Sequence, residues 1–253
     1  MKVWAVLLCS VYILVGCAGT PDKLFSSDSV QASETNTQLG ISYMHQDNLN
    51  LAMDALTKAV NQNSSNAEAH ASMAVLKDRL EQYDDAERHF RRAVRLDPGN
   101  PSYHNNFGRF LCNRDRFREA DEQFEIALKD PLYQRRELPL ANAGLCALRA
   151  GRTEDADDYL RRALEVSPRF SPALRRMAEL RHDSGDHLSA RGYFQRYREV
   201  GELDAAALWL GIRIEHALGN RDDVSSYGVR LRADFPDAEE TRDYLKLERD
   251  GRR

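Results

Sequence analysis

Small and large apolar residues recur in this chain at helical spacing, and the whole pattern returns every 34 residues. Within each unit a glycine or alanine is followed by a second small residue, then a large apolar residue, then a third small one. These positions are Gly40, Ala74 and Gly108; Ala52, Ala86 and Ala120; Leu56, Phe90 and Phe124; and Ala59, Ala93 and Ala127. Small residues that face large ones allow two helices to pack closely side by side. No segment alternates with a period of two, so no sheet is predicted.

The 34-residue unit resembles the tetratricopeptide repeat, a helix-turn-helix module that stacks on its neighbours. The units fall at residues 33–66, 67–100, 101–136, 137–170, 171–204 and 205–236, the third being two residues longer and the sixth the weakest match. Gly151, Gly185 and Gly219 are predicted to lie in the turns between paired helices. Residues 237–253 follow as a capping helix and tail. The expected fold is all-α: a right-handed superhelical solenoid of about six repeats.

The N-terminus, residues 1–16, is predicted to be a lipoprotein signal peptide. A basic start precedes an apolar run, Val3 to Val15, that is too short to span a bilayer. The run ends in Leu14-Val15-Gly16-Cys17, which resembles the bacterial lipobox and implies cleavage before Cys17 and acylation of that cysteine. An ordinary secretory signal is the alternative. Residues 17–32 are predicted to form a flexible tether between the lipid and the repeats.

Ala18, not aspartate, follows Cys17. Aspartate at that place would be the inner-membrane retention signal of enterobacterial lipoproteins. We therefore expect a lipid-anchored protein on the periplasmic face of the outer membrane.

Composition and motifs favour a binding protein over an enzyme. The net charge of −4 argues against binding of nucleic acid by the chain as a whole. The seven histidines form no His-Glu-x-x-His motif, and the sequence contains neither Cys-x-x-Cys nor a glycine-rich phosphate loop. Paired carboxylates such as Asp84-Asp85 begin second helices, where they favour the positive end of the helix dipole. We predict no catalytic residue, no metal and no cofactor.

Cys112 and Cys146 are the two cysteines of the predicted repeat array. Both fall near the same height on the first helices of adjacent repeats. Three interpretations stand: two buried apolar residues, a structural disulfide or a redox pair. We favour the disulfide, which an interaxial distance of about 8–10 Å allows if both side chains point into the seam between the helices.

First helices line the concave face of such a solenoid, and two apolar patches are expected there. One consists of Ile41, Met44 and Val75 with Arg79 beside it, and the other contains Leu145 and Leu148, with Arg109 on the preceding repeat. An apolar groove flanked by arginine suits a segment of another protein. Packing against neighbouring helices is the alternative for each of these side chains. We prefer the first patch, because it spans two repeats at the end nearest the lipid.

A closer resemblance lies within residues 106–146. The runs Asn106-x-Gly108-x-x-Leu111-Cys112, Asp130-Pro131-Leu132-Tyr133 and Asn142-Ala143-Gly144-Leu145-Cys146 resemble the type IV pilus biogenesis/stability lipoproteins of the PilF/PilW family. The lipobox and the repeats fit that family too. The resemblance implies a pilotin, which binds the type IV pilus secretin and travels to the outer membrane through the lipoprotein-sorting machinery. There it would promote secretin multimerisation, and so pilus assembly and twitching motility.

Three other functions remain compatible with the sequence. One is another periplasmic tetratricopeptide lipoprotein, such as a tight-adherence pilus assembly factor or an adaptor of cell-wall hydrolases. A second is an enzyme that uses Cys112 or Cys146 as its nucleophile. A third is a regulatory scaffold that binds no secretin.

Overall fold

Thirteen α-helices and no strand make up residues 26–250, the part of the chain that the computed structural model describes. The helices are α1 Ser27–His45, α2 Leu49–Gln62, α3 Ala67–Arg79, α4 Tyr83–Leu96, α5 Pro101–Cys112, α6 Phe117–Leu128, α7 Glu137–Arg149, α8 Thr153–Val166, α9 Ser171–Asp183, α10 His187–Arg198, α11 Ala205–Ala217, α12 Arg221–Asp234 and α13 Glu239–Asp250. The signal peptide, Cys17 and most of the predicted tether lie outside the described residues.

The helices stack as six pairs with one helix left over. Each odd-numbered helix from α1 to α11 packs against the even-numbered helix that follows it. Consecutive odd helices also touch one another from α1 to α13, whereas consecutive even helices do not. The odd helices therefore form the inner layer of a curved stack, and the even helices form the outer layer. This arrangement confirms the predicted helix-turn-helix solenoid, with α13 as its cap.

The small residues of the repeat are packing residues, as the pattern predicts. A Cβ atom added at Gly108 would lie 2.7 Å from Cε1 of Phe124, and one at Gly144 would lie 2.9 Å from Cγ of Leu160. The sixth repeat is packed differently. It has Gly228 at the position of Phe124 in the third repeat, and the buried ring of Tyr244 from α13 occupies the space that a large side chain would fill. The cap thus completes the core of the weakest repeat.

All six turns between paired helices contain one residue in the left-handed conformation, with φ between 57° and 83°. These residues are Asp47, Glu81, Asp115, Gly151, Gly185 and Gly219. The three glycines confirm the turns that the sequence predicts. The turns of the first three repeats have acidic residues at the same place, so the turn geometry is common to all repeats although the residue type is not.

Helix α1 begins earlier than predicted. It starts at Ser27, whereas the tether was expected to continue to residue 32. Ser26 caps the helix by accepting a hydrogen bond from the backbone N–H of Ser29, and Asp28 lies in the first turn, near the positive end of the helix dipole. The hydroxyl of Ser33 donates to the carbonyl of Ala59 on α2, which ties this end of α1 to its partner helix. The boundary at residue 32 is therefore corrected to residue 26.

Candidate partner-binding face

One side chain from each repeat follows the midline of the inner layer. This row consists of Ile41, Val75, Arg109, Leu145, Glu179 and Arg213, spaced by 34 residues except across the two-residue insertion of the third repeat. Because consecutive odd helices touch, the row runs without interruption along the concave face. Arg109 is exposed and the other five side chains are partly exposed. We call this row the midline.

The N-terminal end of the midline is apolar. Ile41 and Val75 are partly exposed and rest on a buried cluster that includes Leu56, Met73 and Leu76. Met44 belongs to that cluster, with only 7% of its surface exposed. Its predicted place on the binding surface is therefore wrong, because its side chain turns into the core beneath Ile41 and Val75. The surface offered to a partner at this end is Ile41 and Val75.

Arg79 is already engaged within the chain. Its guanidinium donates to the backbone carbonyl of Met44 at 2.9 Å and forms an ion pair with Asp47 at 2.8 Å. These contacts reach back from the second repeat to the turn of the first. Arg79 therefore holds two repeats together, although it stays half-exposed beside the apolar patch.

Most arginines of the concave face have an acidic partner. The ion pairs are Arg79 with Asp47, Arg149 with Asp115, Arg175 with Asp204, Arg176 with Glu179 and Arg213 with Asp183. Arg109 is the exception on this face. Within residues 26–250 its side chain forms no hydrogen bond or ion pair, and it is exposed at the centre of the midline.

The two leucines of the second predicted patch differ in their surroundings. Leu148 packs against the large core cluster of the C-terminal repeats, which includes Leu160 and Leu174. Leu145 is partly exposed and, among the described residues, is not packed against any of the three core clusters. Leu145 is therefore the leucine that a partner can contact, whereas Leu148 is part of the packing beneath the concave face.

Cys112 and Cys146 form a disulfide between α5 and α7, with their Cα atoms 5.7 Å apart. Both residues are buried in a cluster that includes Phe107, Leu111 and Phe124. The bond joins two neighbouring helices of the inner layer beneath Arg109 and Leu145, which lie on the same two helices. It leaves neither sulfur as a thiol, so neither Cys112 nor Cys146 is available as a nucleophile while the bond is intact.

The sequence did not single out two further features of this face. The amide of Asn142 donates to Oδ1 of Asn105 at 2.8 Å, which places two side-chain amides across the α5–α7 seam. Arg114 lies between the rings of Tyr83 and Phe110, with its guanidinium carbon 3.8 Å and 4.0 Å from their centroids, and pairs with Asp78. The asparagine pair could have been predicted from the sequence, because Asn105 and Asn142 occupy nearly the same position in the first helices of adjacent repeats. The arginine stack depends on side-chain directions that periodicity does not give.

Two histidines of the inner layer each connect the loop before their helix to the helix that follows it. Nε2 of His70 lies 3.2 Å from the carbonyl of Ser64 in the preceding loop, and its Nδ1 lies 2.9 Å from Nδ1 of His89 on α4. His104 makes the same contacts one repeat later, to Pro98 and Gln123. Burial lowers the pKa of His70, and burial together with the charge of His70 lowers the pKa of His89 to about 4. The pair is therefore neutral at pH 7.

The described residues offer a surface for binding another protein. They hold no group of three or more histidine, cysteine, aspartate or glutamate side chains that could bind a metal ion. No helix between residues 26 and 250 is long and apolar enough to cross a membrane. What the face presents is a continuous concave row with an apolar end, one unpaired arginine and a partly exposed leucine. Such extended concave surfaces are what helical solenoids use to bind other chains.

The fold defines a tetratricopeptide solenoid protein. Sequence models of the tetratricopeptide repeat match residues 43–106 and 141–207. The type IV pilus assembly protein PilF of Pseudomonas aeruginosa is 29% identical to this chain over 234 residues, which cover 91% of this chain and 93% of PilF. A solved structure of PilF aligns with a TM-score of 0.78 over 87% of this chain and 99% of that structure.

PilW is similar as well. The crystal structure of this widely conserved type IV pilus biogenesis factor is 33% identical to the chain, with a TM-score of 0.78. The alignment covers 85% of this chain and 99% of PilW. The chain therefore belongs to the family of PilF and PilW, the tetratricopeptide-repeat proteins of type IV pilus biogenesis.

Proposed function

We propose that this protein is a pilotin: an outer-membrane lipoprotein that binds the type IV pilus secretin and promotes its localisation and multimerisation. Membership of the PilF/PilW family is the observation that carries the proposal. Pilus assembly and twitching motility would depend on it.

The apolar end of the midline is the surface we assign to the secretin. Ile41 and Val75 are held in place by the buried cluster beneath them, so the patch does not need to reorganise before it binds. A rigid, preformed surface loses little conformational entropy when a partner docks on it. The patch also lies on the first two repeats, the part of the array closest in sequence to the proposed lipid site.

The lipid would convert binding into localisation. Acyl chains on Cys17 contribute about 0.8 kcal/mol for each buried CH₂ group, and several chains together give a durable anchor. A secretin subunit held in the groove would then be confined to the membrane surface that holds the anchor. Subunits confined to one surface have a higher effective concentration relative to each other. This favours multimers without any new contact between subunits.

Capture from membranes tests the proposal. The full-length lipidated protein, purified in detergent from its own bacterium, should retain the type IV pilus secretin, identified by mass spectrometry. Val75→Glu places a charge in the apolar patch and should reduce the retained secretin about tenfold or more, because an apolar ligand segment that covers the carboxylate strips it of water. A preparation that retains no secretin would contradict the proposed function.

A matched control separates binding from folding. Val229→Glu makes the same change at an exposed valine on α12, in the outer layer, and should retain secretin as the unaltered protein does. The milder Val75→Ser variant should keep the fold and still weaken binding. If Val75→Glu folds, as shown by its circular dichroism and unfolding midpoint, and retains secretin fully, the patch is not the binding site.

A further inference from the structure

Arg109 divides the apolar features of the midline. Ile41 and Val75 lie on one side of it along the row, and Leu145 lies on the other. The remaining arginines of the concave face are neutralised by acidic residues of the chain itself. An exposed guanidinium without such a partner, at the centre of a binding face, is a donor group left for a ligand.

The distance between successive midline side chains determines how far apart the contacting residues of a ligand must be. Neighbouring helices in contact lie about 8–10 Å apart, and an extended chain advances about 3.3 Å per residue. One step along the midline therefore corresponds to about three residues of an extended segment. A helical segment, which rises about 1.5 Å per residue, would need about six residues for the same step.

We infer that the concave face binds an extended segment with an acidic residue between apolar residues, the acidic residue about three positions from an apolar residue on each side. The carboxylate pairs with Arg109, and the apolar side chains meet Val75 and Leu145. Asn105 and Asn142 lie on the same two helices as Arg109 and Leu145 and hydrogen-bond to each other; Asn105 is buried, so the partly exposed Asn142 is the amide that the ligand backbone can reach. This inference rests on the proposed function, since it specifies the kind of segment that the secretin would present.

Charge along the row favours an acidic ligand residue over a basic one at this place. The nearest acidic side chain of the midline is Glu179, two repeats further on, and it is already paired with Arg175 and Arg176. A basic ligand residue opposite Arg109 would meet an uncompensated like charge. The disulfide beneath the site joins α5 to α7, so Arg109 and Leu145 stand on two helices that are fixed to each other.

Selection from a random peptide library tests the inference without knowledge of the natural ligand. Displayed 12-residue peptides are selected on the full-length lipidated protein in detergent micelles. The unaltered protein should enrich peptides with Asp or Glu flanked by apolar residues at about three positions on each side. Arg109→Glu should enrich Lys or Arg at the same place, and should bind the originally selected peptides about tenfold or more weakly. Arg109→Lys should keep the acidic preference.

Arg118→Glu is the matched control. Arg118 is an exposed arginine of the same repeat, on the outer-layer helix α6, and its reversal changes the net charge equally. It should leave the selected peptides unchanged. Three results would overturn the inference: no acidic preference with the unaltered protein, the same preference with Arg109→Glu, or a spacing of about six residues, which would indicate a helical ligand.

The two proposals fail separately. If the unaltered protein selects the expected peptides but retains no secretin from membranes, the groove specificity stands and the pilotin function fails. If Arg109→Glu retains secretin as the unaltered protein does, while Val75→Glu does not, secretin binding stands and the role of Arg109 fails.

Discussion

The neutral pair of His70 and His89 makes the junction of the first repeats sensitive to acid. Lys77, Arg88 and Arg92 surround the pair, and Asp85 is the acidic group that opposes them. Burial lowers the pKa of both histidines below the value of 6.5 for an unperturbed histidine. The unfolded chain therefore takes up protons that the folded chain does not, so stability falls as the pH drops from 6.5 towards 4.

His89→Gln should remove part of this dependence. Gln123 takes the equivalent place in the next repeat, where its side-chain amide lies 2.8 Å from Nδ1 of His104, so a glutamine at position 89 can hydrogen-bond to Nδ1 of His70 without a titrating ring. Between pH 7.5 and 5, the thermal midpoint should fall by about 2–4 °C less in His89→Gln than in the unaltered protein. His45→Gln, at an exposed histidine of α1, should show no such difference. Equal pH slopes for all three proteins would show that the pair does not titrate as described.

At the residue scale, the sequence predicts which side chains lie on the concave helices but not which of them remain free. Met44, Val75 and Leu148 are all apolar residues of the concave helices; Val75 lies on the midline, and Met44 and Leu148 each lie three residues after a midline residue. Only the structure shows that Met44 turns into the core, that Leu148 packs against the C-terminal core cluster and that Val75 stays partly exposed. The ion pair of Arg79 with Asp47 and the lack of a side-chain partner for Arg109 likewise depend on where acidic side chains lie in three dimensions, which periodicity leaves open.

Among the elements, α5 and α7 are joined by a covalent bond, and its removal should be costly. Closing a loop of 34 residues restricts the unfolded chain, and the double variant Cys112→Ala/Cys146→Ala should lose about 4 kcal/mol of unfolding free energy. Urea titrations followed by circular dichroism measure the loss.

Reduction provides an internal comparison for the disulfide. Dithiothreitol should shift the urea midpoint of the unaltered protein towards that of the double variant, and should not change the double variant itself. Mass spectrometry of alkylated, non-reduced protein should find Cys112 and Cys146 unmodified. Alkylation of both residues in the mature, folded protein would contradict the bond.

The turns illustrate why some elements are predictable and others are not. Gly151, Gly185 and Gly219 can be recognised in the sequence because glycine adopts positive φ without strain. Asp47, Glu81 and Asp115 adopt the same conformation only because the helices on both sides fix it. Asp47 and Asp115 are also held by ion pairs with Arg79 and Arg149 of the following repeat. The early start of α1 was missed for a similar reason, since its polar residues resemble those of a tether.

For the whole molecule, the proposed anchor separates binding from localisation. Cys17→Ala removes the proposed acylation site but leaves the solenoid of residues 26–250 unchanged in sequence. The variant, which keeps the rest of the predicted signal peptide, should therefore bind secretin as before. Fewer secretin multimers should be found in the outer-membrane fraction, because captured subunits are no longer confined to one surface. Membrane fractionation with immunoblotting of unboiled samples measures their amount and place.

Two outcomes would count against this mechanism. Unchanged yield and location of multimers in Cys17→Ala would show that the lipid has no role in secretin assembly. Loss of secretin binding by the variant, with its fold intact, would show that the region around Cys17 contributes to recognition itself.

The loop between α6 and α7 lies inside the segment that the disulfide closes. Leu132 in this loop is 84% exposed, and Arg135 is exposed as well. Trypsin that cuts after Arg135 would therefore divide the solenoid into a half with three helix pairs and a half with three pairs and the cap. Cys112 and Cys146 lie on opposite sides of the cut, so the halves would migrate as one species on a gel until the bond is reduced.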